Sequence, residues 1–185
     1  MNKPLLVVVT GRPASGKTTL AHILSKEIKC PLLSRDELKE GYVNTLDIEH
    51  CRLDNSAAWH IYNSFFEAID LLISKDISVI VEAAFQDKLW KPKLSQLSDK
   101  AEIKIIICNT SPDIAKARFA GRLLSDPDRN KYHGDKFLNS VKGPDRLMAE
   151  HYAPVNIAAP TLEVDTTENY NPGLGEIIGF IRQVN

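Results

Sequence analysis

Gly11-Arg12-Pro13-Ala14-Ser15-Gly16-Lys17-Thr18 follows a fixed pattern: glycine, four residues, then Gly-Lys-Ser/Thr. The residue types state the chemistry. Gly11 and Gly16 permit backbone conformations that a side chain blocks, so successive N–H groups can turn toward one point. Such N–H groups, with the N-terminus of a following helix, bind phosphate oxygens. Lys17 is placed to reach the β- and γ-phosphates of a nucleotide, and the Thr18 hydroxyl to ligate Mg²⁺. Thr19 follows directly, so Gly11 to Thr19 are the expected nucleotide contacts.

Other residues carry chemistry at the ends of predicted elements. Ser34-Arg35-Asp36-Glu37 ends a short apolar run. A carboxylate at Asp36 stands where an acceptor would approach the γ-phosphate, and can orient or deprotonate an attacking hydroxyl. Arg35 can hold an anionic acceptor. The same four residues also read as a capping box, with acids favoured at a helix N-terminus. Val81-Glu82-Ala83 ends a β-rich run, and Glu82 can bind Mg²⁺ through water, contact the substrate, or be an ordinary strand-end acid. Arg118 and Arg122 are four apart, on one helix face. They can close over a polyphosphate and stabilise transition-state charge, or form a solvated face. Arg129, Lys131 and Lys136 can add to that closure. Asp165-Thr166-Thr167 follows the last predicted strand, where a loop lies beside the nucleotide base, and Thr166 is taken as a cofactor contact. His50, Cys51 and Arg52 are acceptor-pocket candidates.

These residues need a frame. Leu5–Thr10 (LLVVVT) is a continuous apolar run, as a buried parallel strand requires. Further strands are expected at Pro31–Ser34, Ile77–Val81, Ile103–Cys108 and Thr161–Val164. Helical spacing marks Thr19–Ile28, Leu53–Lys75, Lys88–Ser98, Pro112–Leu124 and Gly173–Val184. Strands alternating with helices predict an α/β fold, a parallel sheet covered on both faces. Trp59, Tyr62, Phe65 and Phe66 are expected in the core. Ser125–Gly143 is polar and broken by Pro127, Gly134 and Gly143, which predicts a lid, opening at about residue 121. The 185 residues are expected to form one domain.

Composition bounds the partners. A formal net charge of −1 gives no long-range pull toward nucleic acid or an anionic membrane. Cys30, Cys51 and Cys108 match no zinc or redox spacing, and the five histidines form no metal motif. No apolar stretch is long enough to span a bilayer, and free thiols point to a reducing, cytoplasmic setting.

GRPASGKTTLA, then SRDEL, an apolar strand ending VEAAF, and the Arg118–Arg122 pair together resemble the small P-loop kinases. The likeness is greatest to the branch with phage polynucleotide 5′-kinase, zeta toxin and chloramphenicol phosphotransferase. It spans nearly the whole chain. The resemblance implies the P-loop NTPase fold as an adenylate-kinase-like three-layer sandwich: a five-stranded parallel sheet, order 2-3-1-4-5, under a mobile lid. It implies ATP and Mg²⁺ as cofactors and transfer of the γ-phosphate to a hydroxyl, on a small molecule or a short 5′-hydroxyl nucleic-acid end. Lys17 and Thr18 match the phosphate and metal positions, Asp36 the aspartate that activates the acceptor, Arg35 the arginine beside it and Arg122 a lid arginine. Lys17, Asp36, Arg118 and Arg122 are thus the expected catalytic set. Glu82 stands where many relatives carry aspartate. The alternative is a regulatory ATPase that signals through a partner. No Asn-Lys-x-Asp stretch for guanine is present.

Overall fold

Continuous burial along the first strand sets up the whole frame. In β1 (Leu5–Gly11), Leu6, Val7, Val8 and Val9 are all fully buried, because successive side chains serve opposite faces of the sheet. The computed structural model describes residues 3–125, 129–133 and 152–183. On one face Leu6 and Val8 join Val79, Val81, Ile103 and Ile105 against Phe65, Ile69, Trp90 and Leu94 of α3 (Asn55–Ser74) and α4 (Asp87–Leu97). On the other face Val7 and Val9 join Ile80, Ile106 and Val164 against α1 (Lys17–Ile28) and α7 (Leu174–Arg182), through Leu20, Leu24, Ile177 and Ile181. Each such side chain contributes about 1.5–3 kcal/mol on burial, so both helical layers are held by apolar area.

The other strands are β2 (Leu32–Ser34), β3 (Val79–Glu82), β4 (Glu102–Asn109) and β5 (Thr161–Asp165). All pairs are parallel and the order is β2-β3-β1-β4-β5, as expected. The connection leaving β1 runs to β2 on one side and that leaving its neighbour β4 runs to β5 on the other, so a crevice opens at their carboxyl ends, where open parallel sheets bind ligands. Strand β3 starts at Val79, two residues later than expected, and runs through Glu82, while Ile77 is 41% exposed.

Helix α2 (Arg35–Leu46) was visible in the sequence only as its cap. Its residues are mostly polar and Gly41 interrupts them, so no strong apolar period appears; Val43 is buried and Leu38 packs at the core edge. The capping box forms by half. Ser34 Oγ accepts the Glu37 N–H at 3.5 Å, but the Glu37 carboxylate pairs with His22 Nε2 at 2.7 Å. A 3₁₀ turn, His50–Arg52, leads to α3, which Asp54 caps by accepting the Ala57 N–H at 2.8 Å. Tyr62, Phe65 and Phe66 pack with Phe85 and Trp90 as expected. Trp59 does not: it lies off the buried stripe of α3 and is 54% exposed.

Helices α5 (Pro112–Ser125) and α6 (Arg129–His133) follow β4. Of the expected lid, 121–125 close α5 and 129–133 form α6; 126–128 and 134–143, with Lys136, lie outside the described residues. No helix among the described residues is long and apolar enough to cross a membrane.

Lys104 is the one lysine placed among the apolar residues of β4, and it is 1% exposed. Its ammonium donates to the carbonyl of Phe180 at 3.0 Å and to that of Gln183, and lies 3.5 Å from Glu102 Oε1. It therefore satisfies carbonyls that the end of α7 leaves without helical partners. Lys104→Met should lower stability to urea by about 1–3 kcal/mol, the cost of leaving such acceptors unpaired, with nucleotide affinity unchanged in a titration of the folded protein.

Candidate functional site

The phosphate loop connects β1 to α1 and is shaped by three left-handed or extended-positive residues. Gly11 has φ 156°, Ala14 φ 61° and Gly16 φ 79°. A Cβ on Gly11 would lie 2.4 Å from Ser15 Oγ and 2.5 Å from the Cys108 carbonyl oxygen, so only glycine fits. Ala14 holds its unfavourable conformation because its methyl is buried against Ala115 and Phe119 of α5. Neighbouring elements brace the loop from behind. Thr166 Oγ1 donates to the Ser15 carbonyl at 2.6 Å. Thr10 Oγ1 accepts the Phe85 N–H at 3.0 Å and shares a 2.7 Å hydrogen bond with the Tyr152 hydroxyl, whose ring lies 5.8 Å below the Arg12 guanidinium.

Lys17 opens α1 with a largely buried side chain, and its ammonium is 3.7 Å from Glu82 Oε1. Glu82, at the end of β3, is 1% exposed. Its Oε2 accepts the Ser34 hydroxyl at 2.8 Å, while Oε1 has no hydrogen-bond partner. Burial pushes the Glu82 carboxyl upward; the Lys17 charge and the Ser34 hydrogen bond pull it back only in part. A buried carboxylate oxygen lacking a hydrogen bond, next to the Thr18 hydroxyl, gives hard oxygen donors suited to Mg²⁺. No group of three or more His, Cys, Asp or Glu among the described residues could hold a metal alone. Mg²⁺ fits here as a cation that also needs phosphate oxygens from the nucleotide.

Asp36 is the second residue of α2, 45% exposed at its side chain. Lys39 Nζ lies 3.4 Å from its carboxylate and Arg35 Nη1 3.8 Å. Burial alone would raise the Asp36 carboxyl, but Lys39, Lys17, His133 and Arg35 outweigh it and hold it at about 2. Lys39 is itself buried, with His133 Nδ1 at 3.4 Å, and His133 Nε2 is 2.6 Å from Glu40 Oε1.

Two clefts meet here. One, of about 650 Å³, is lined by Lys17, Thr18, Arg35, Asp36, His50 and His133 among others. The second, of about 380 Å³, is lined by Gly16, Arg118, Thr166, Glu168, Asn169 and Tyr170. Thr19 and Arg122 line both. Glu82 sits behind the first cleft, against Lys17.

Several predicted residues are placed differently from one another. Arg118 crosses to the loop after β5, where Nη2 donates to the carbonyls of Thr166 at 2.6 Å and Thr167 at 3.0 Å. Its Nη1 is buried without a hydrogen bond and would lie 3.6 Å from a Cβ on Gly16. The Asp165 carboxylate accepts the Thr167 N–H at 2.7 Å and so shapes that loop. Cys51 is exposed and hydrogen-bonds Glu49, while His50 alone of its turn reaches the large cleft. Lys131 pairs with Asp47 at 3.0 Å, on α2's far end. The sequence reading missed Lys39, His133 and Tyr152. Lys39 could have been found as the residue one turn after Asp36; the other two carry no local signal.

A phosphate loop at the carboxyl edge of a β2-β3-β1-β4-β5 parallel sheet defines the class as a P-loop nucleotide-binding fold. A family model described as an AAA domain matches residues 6–144, and the chain belongs to that family. No curated protein sequence matches it. Three solved structures show similar folds. A Chloroflexus aurantiacus protein, provisionally named a kinase, is 24% identical with TM-score 0.82 over 99% of this chain and 96% of its own. The Mycobacterium tuberculosis APS kinase CysC, in complex with AMPPNP and APS, is 15% identical with TM-score 0.67 over 99% and 100%. A gluconokinase from Sinorhizobium meliloti 1021 is 17% identical with TM-score 0.59 over 98% and 93%.

Gly11→Ala tests the loop directly. Its Cβ has no room, so affinity for a fluorescent ATP analogue should fall about tenfold or more, equivalent to about 1.4 kcal/mol, while far-UV circular dichroism is unchanged.

Proposed function

We propose that this chain is a P-loop phosphotransferase that moves the γ-phosphoryl group of ATP·Mg²⁺ to a hydroxyl acceptor bound beside Asp36. The observation that carries this reading is the pair of clefts joined at Thr19 and Arg122. One cleft runs from the phosphate loop toward the loop after β5 and suits a nucleotide. The other runs from Lys17 and Thr18 to Asp36 and leaves room for an acceptor beside the phosphate loop, which supports the reading. A switch ATPase has no need of that second compartment. The kinase names of the similar folds support the reading, including an APS kinase bound to AMPPNP and APS and a gluconokinase. A similar fold within a Pnkp1/Rnl/Hen1 RNA repair complex, 16% identical with TM-score 0.60 over 80% of this chain and 45% of that one, supports keeping a nucleic-acid end beside small alcohols as acceptor.

The roles follow from position. The N–H groups of Gly16, Lys17 and Thr18, at the N-terminus of α1, bind phosphate oxygens, with the Lys17 ammonium on the β- and γ-phosphates; Pro13 has no N–H to give and that of Ser15 already donates to the Arg12 carbonyl at 3.2 Å. Thr18 and Glu82 would hold Mg²⁺, which supplies charge neutralisation on the phosphates when bound. Arg122, between the clefts, stabilises charge on the transferring group; Arg118 and Thr166 shape the nucleotide end. Arg35 steadies an anionic part of the acceptor. Asp36, held at about 2, is a weak base. It orients the hydroxyl first and takes its proton late, as charge develops on the oxygen, which suits a loose phosphoryl-transfer transition state.

The test is transfer of labelled γ-phosphate to a panel of 5′-hydroxyl oligonucleotides, nucleosides, sugars and aminoglycoside- or phenicol-type alcohols. Label should appear on one acceptor class. Label only in free phosphate, at one rate whatever is added, would favour the regulatory ATPase. With the acceptor in hand, Asp36→Asn should lower kcat about 10²–10⁴-fold with KM for ATP nearly unchanged. An equal loss of ATP binding would make Asp36 structural. Lys17→Ala should lower kcat about 10²–10³-fold, the usual effect of removing one charge-stabilising donor; wild-type turnover in that variant would sink the assignment.

A further inference from the structure

Ser34 is 4% exposed and belongs to three structures at once. It is the last residue of β2, the register partner of Glu82 across the β2–β3 pair, and the N-cap of α2. Its hydroxyl has one proton and two lone pairs. An ionised carboxylate only accepts, and a backbone N–H only donates. The polarity is therefore fixed: Ser34 donates to Glu82 Oε2 at 2.8 Å and accepts from the Glu37 N–H at 3.5 Å. Glu82 is left with one oxygen tied to β2 and the other, Oε1, 3.7 Å from the Lys17 ammonium with no hydrogen bond.

A glutamate has one more rotatable bond than an aspartate and needs more to hold it. Aspartate at a strand end is placed by the backbone. The longer side chain of Glu82 could swing its carboxylate, but the strand register puts Ser34 directly opposite and fixes one of its oxygens. The same hydroxyl starts the helix on which Asp36 is the second residue. We propose that Ser34 is a positioning residue for the metal end of the site: its hydroxyl turns Glu82 so that Oε1 faces the phosphate loop, and ties that carboxylate to the N-terminus of the helix carrying Asp36. This rests on the reading that Glu82 faces Mg²⁺. Groups that orient a metal-facing side chain typically change metal affinity 10- to 100-fold when removed.

Capping and positioning separate by substitution. At an N-cap, glycine replaces serine with little loss while alanine does not; neither can donate to Glu82. Ser34→Ala and Ser34→Gly are compared with wild type in Mg²⁺ titrations of a fluorescent ATP analogue, with Glu82→Gln alongside. Both Ser34 variants should need about tenfold more Mg²⁺ for half-maximal tightening, with affinity in the absence of metal unchanged. Wild-type Mg²⁺ dependence in Ser34→Gly, with or without a defect in Ser34→Ala, would overturn the proposal and leave Ser34 a cap. Loss of metal-free nucleotide binding in both would also overturn it, making Ser34 a folding residue. Wild-type Mg²⁺ dependence in Glu82→Gln would overturn the reading of Glu82 and this proposal with it, whereas a defect there beside normal Ser34 variants would overturn this proposal alone.

Discussion

A carboxylate cannot be buried beside a sheet edge without compensation, and the way this chain compensates Glu82 organises its candidate site. Glu82 is 1% exposed and faces Lys17 at 3.7 Å. Isolated charges of this kind are too costly to desolvate, so they persist where each is opposed and hydrogen-bonded. Meeting that condition requires β3 to end beside β1, α1 to begin at Lys17 and β2 to place Ser34 opposite Glu82. The parallel order β2-β3-β1 meets the first and third conditions, and the phosphate loop, turning at Gly16, meets the second. The compensation is incomplete, since Oε1 lacks a hydrogen bond and burial still raises the carboxyl. That residual imbalance is what an incoming cation would relieve.

Asp36 shows the opposite balance. It lies one helix turn from a buried lysine, and the surrounding cations hold it ionised at about 2. Two acids near one phosphate loop are thus set apart by environment: one raised and facing Lys17, the other lowered and facing the open cleft. Phosphoryl transfer asks for positioning and charge stabilisation more than for covalent help from the protein. On the proposed function, a carboxylate fixed in its charged form would serve that purpose. The cluster Lys39–His133–Glu40 joins α2 to α6 through distances of 3.4 and 2.6 Å, so the helix that carries Asp36 is also braced from the segment after α5.

Much of the frame was legible in the sequence because it rests on local periodicity. The β-branched run through Val9 and the apolar faces of α1, α3 and α7 each announce themselves over a few residues. The phosphate loop was legible because only glycine meets its steric demands at Gly11. Helix α2 was not, since it buries little apolar area and its stability comes from a cap and from packing on α3. Trp59 was misread because its type favours burial while its position on α3 falls outside the buried stripe. Tyr152 had no signal at all: its bond to Thr10 spans 142 residues, and only the folded sheet edge brings them together. The interlock of Ser34 with Glu82 was likewise hidden, because register between two strands is not written in either one.

The central claim is that nucleotide phosphates at Gly16–Thr18 and the carboxylate of Asp36 belong to one site. Paramagnetic broadening of backbone amides by Mn²⁺ bound with AMPPNP tests it without knowledge of the acceptor. The account predicts strong broadening at the phosphate loop, at Arg35 and Asp36, and at Glu82 and Ala83. Broadening confined to the phosphate loop and the loop after β5, with the start of α2 untouched, would contradict it.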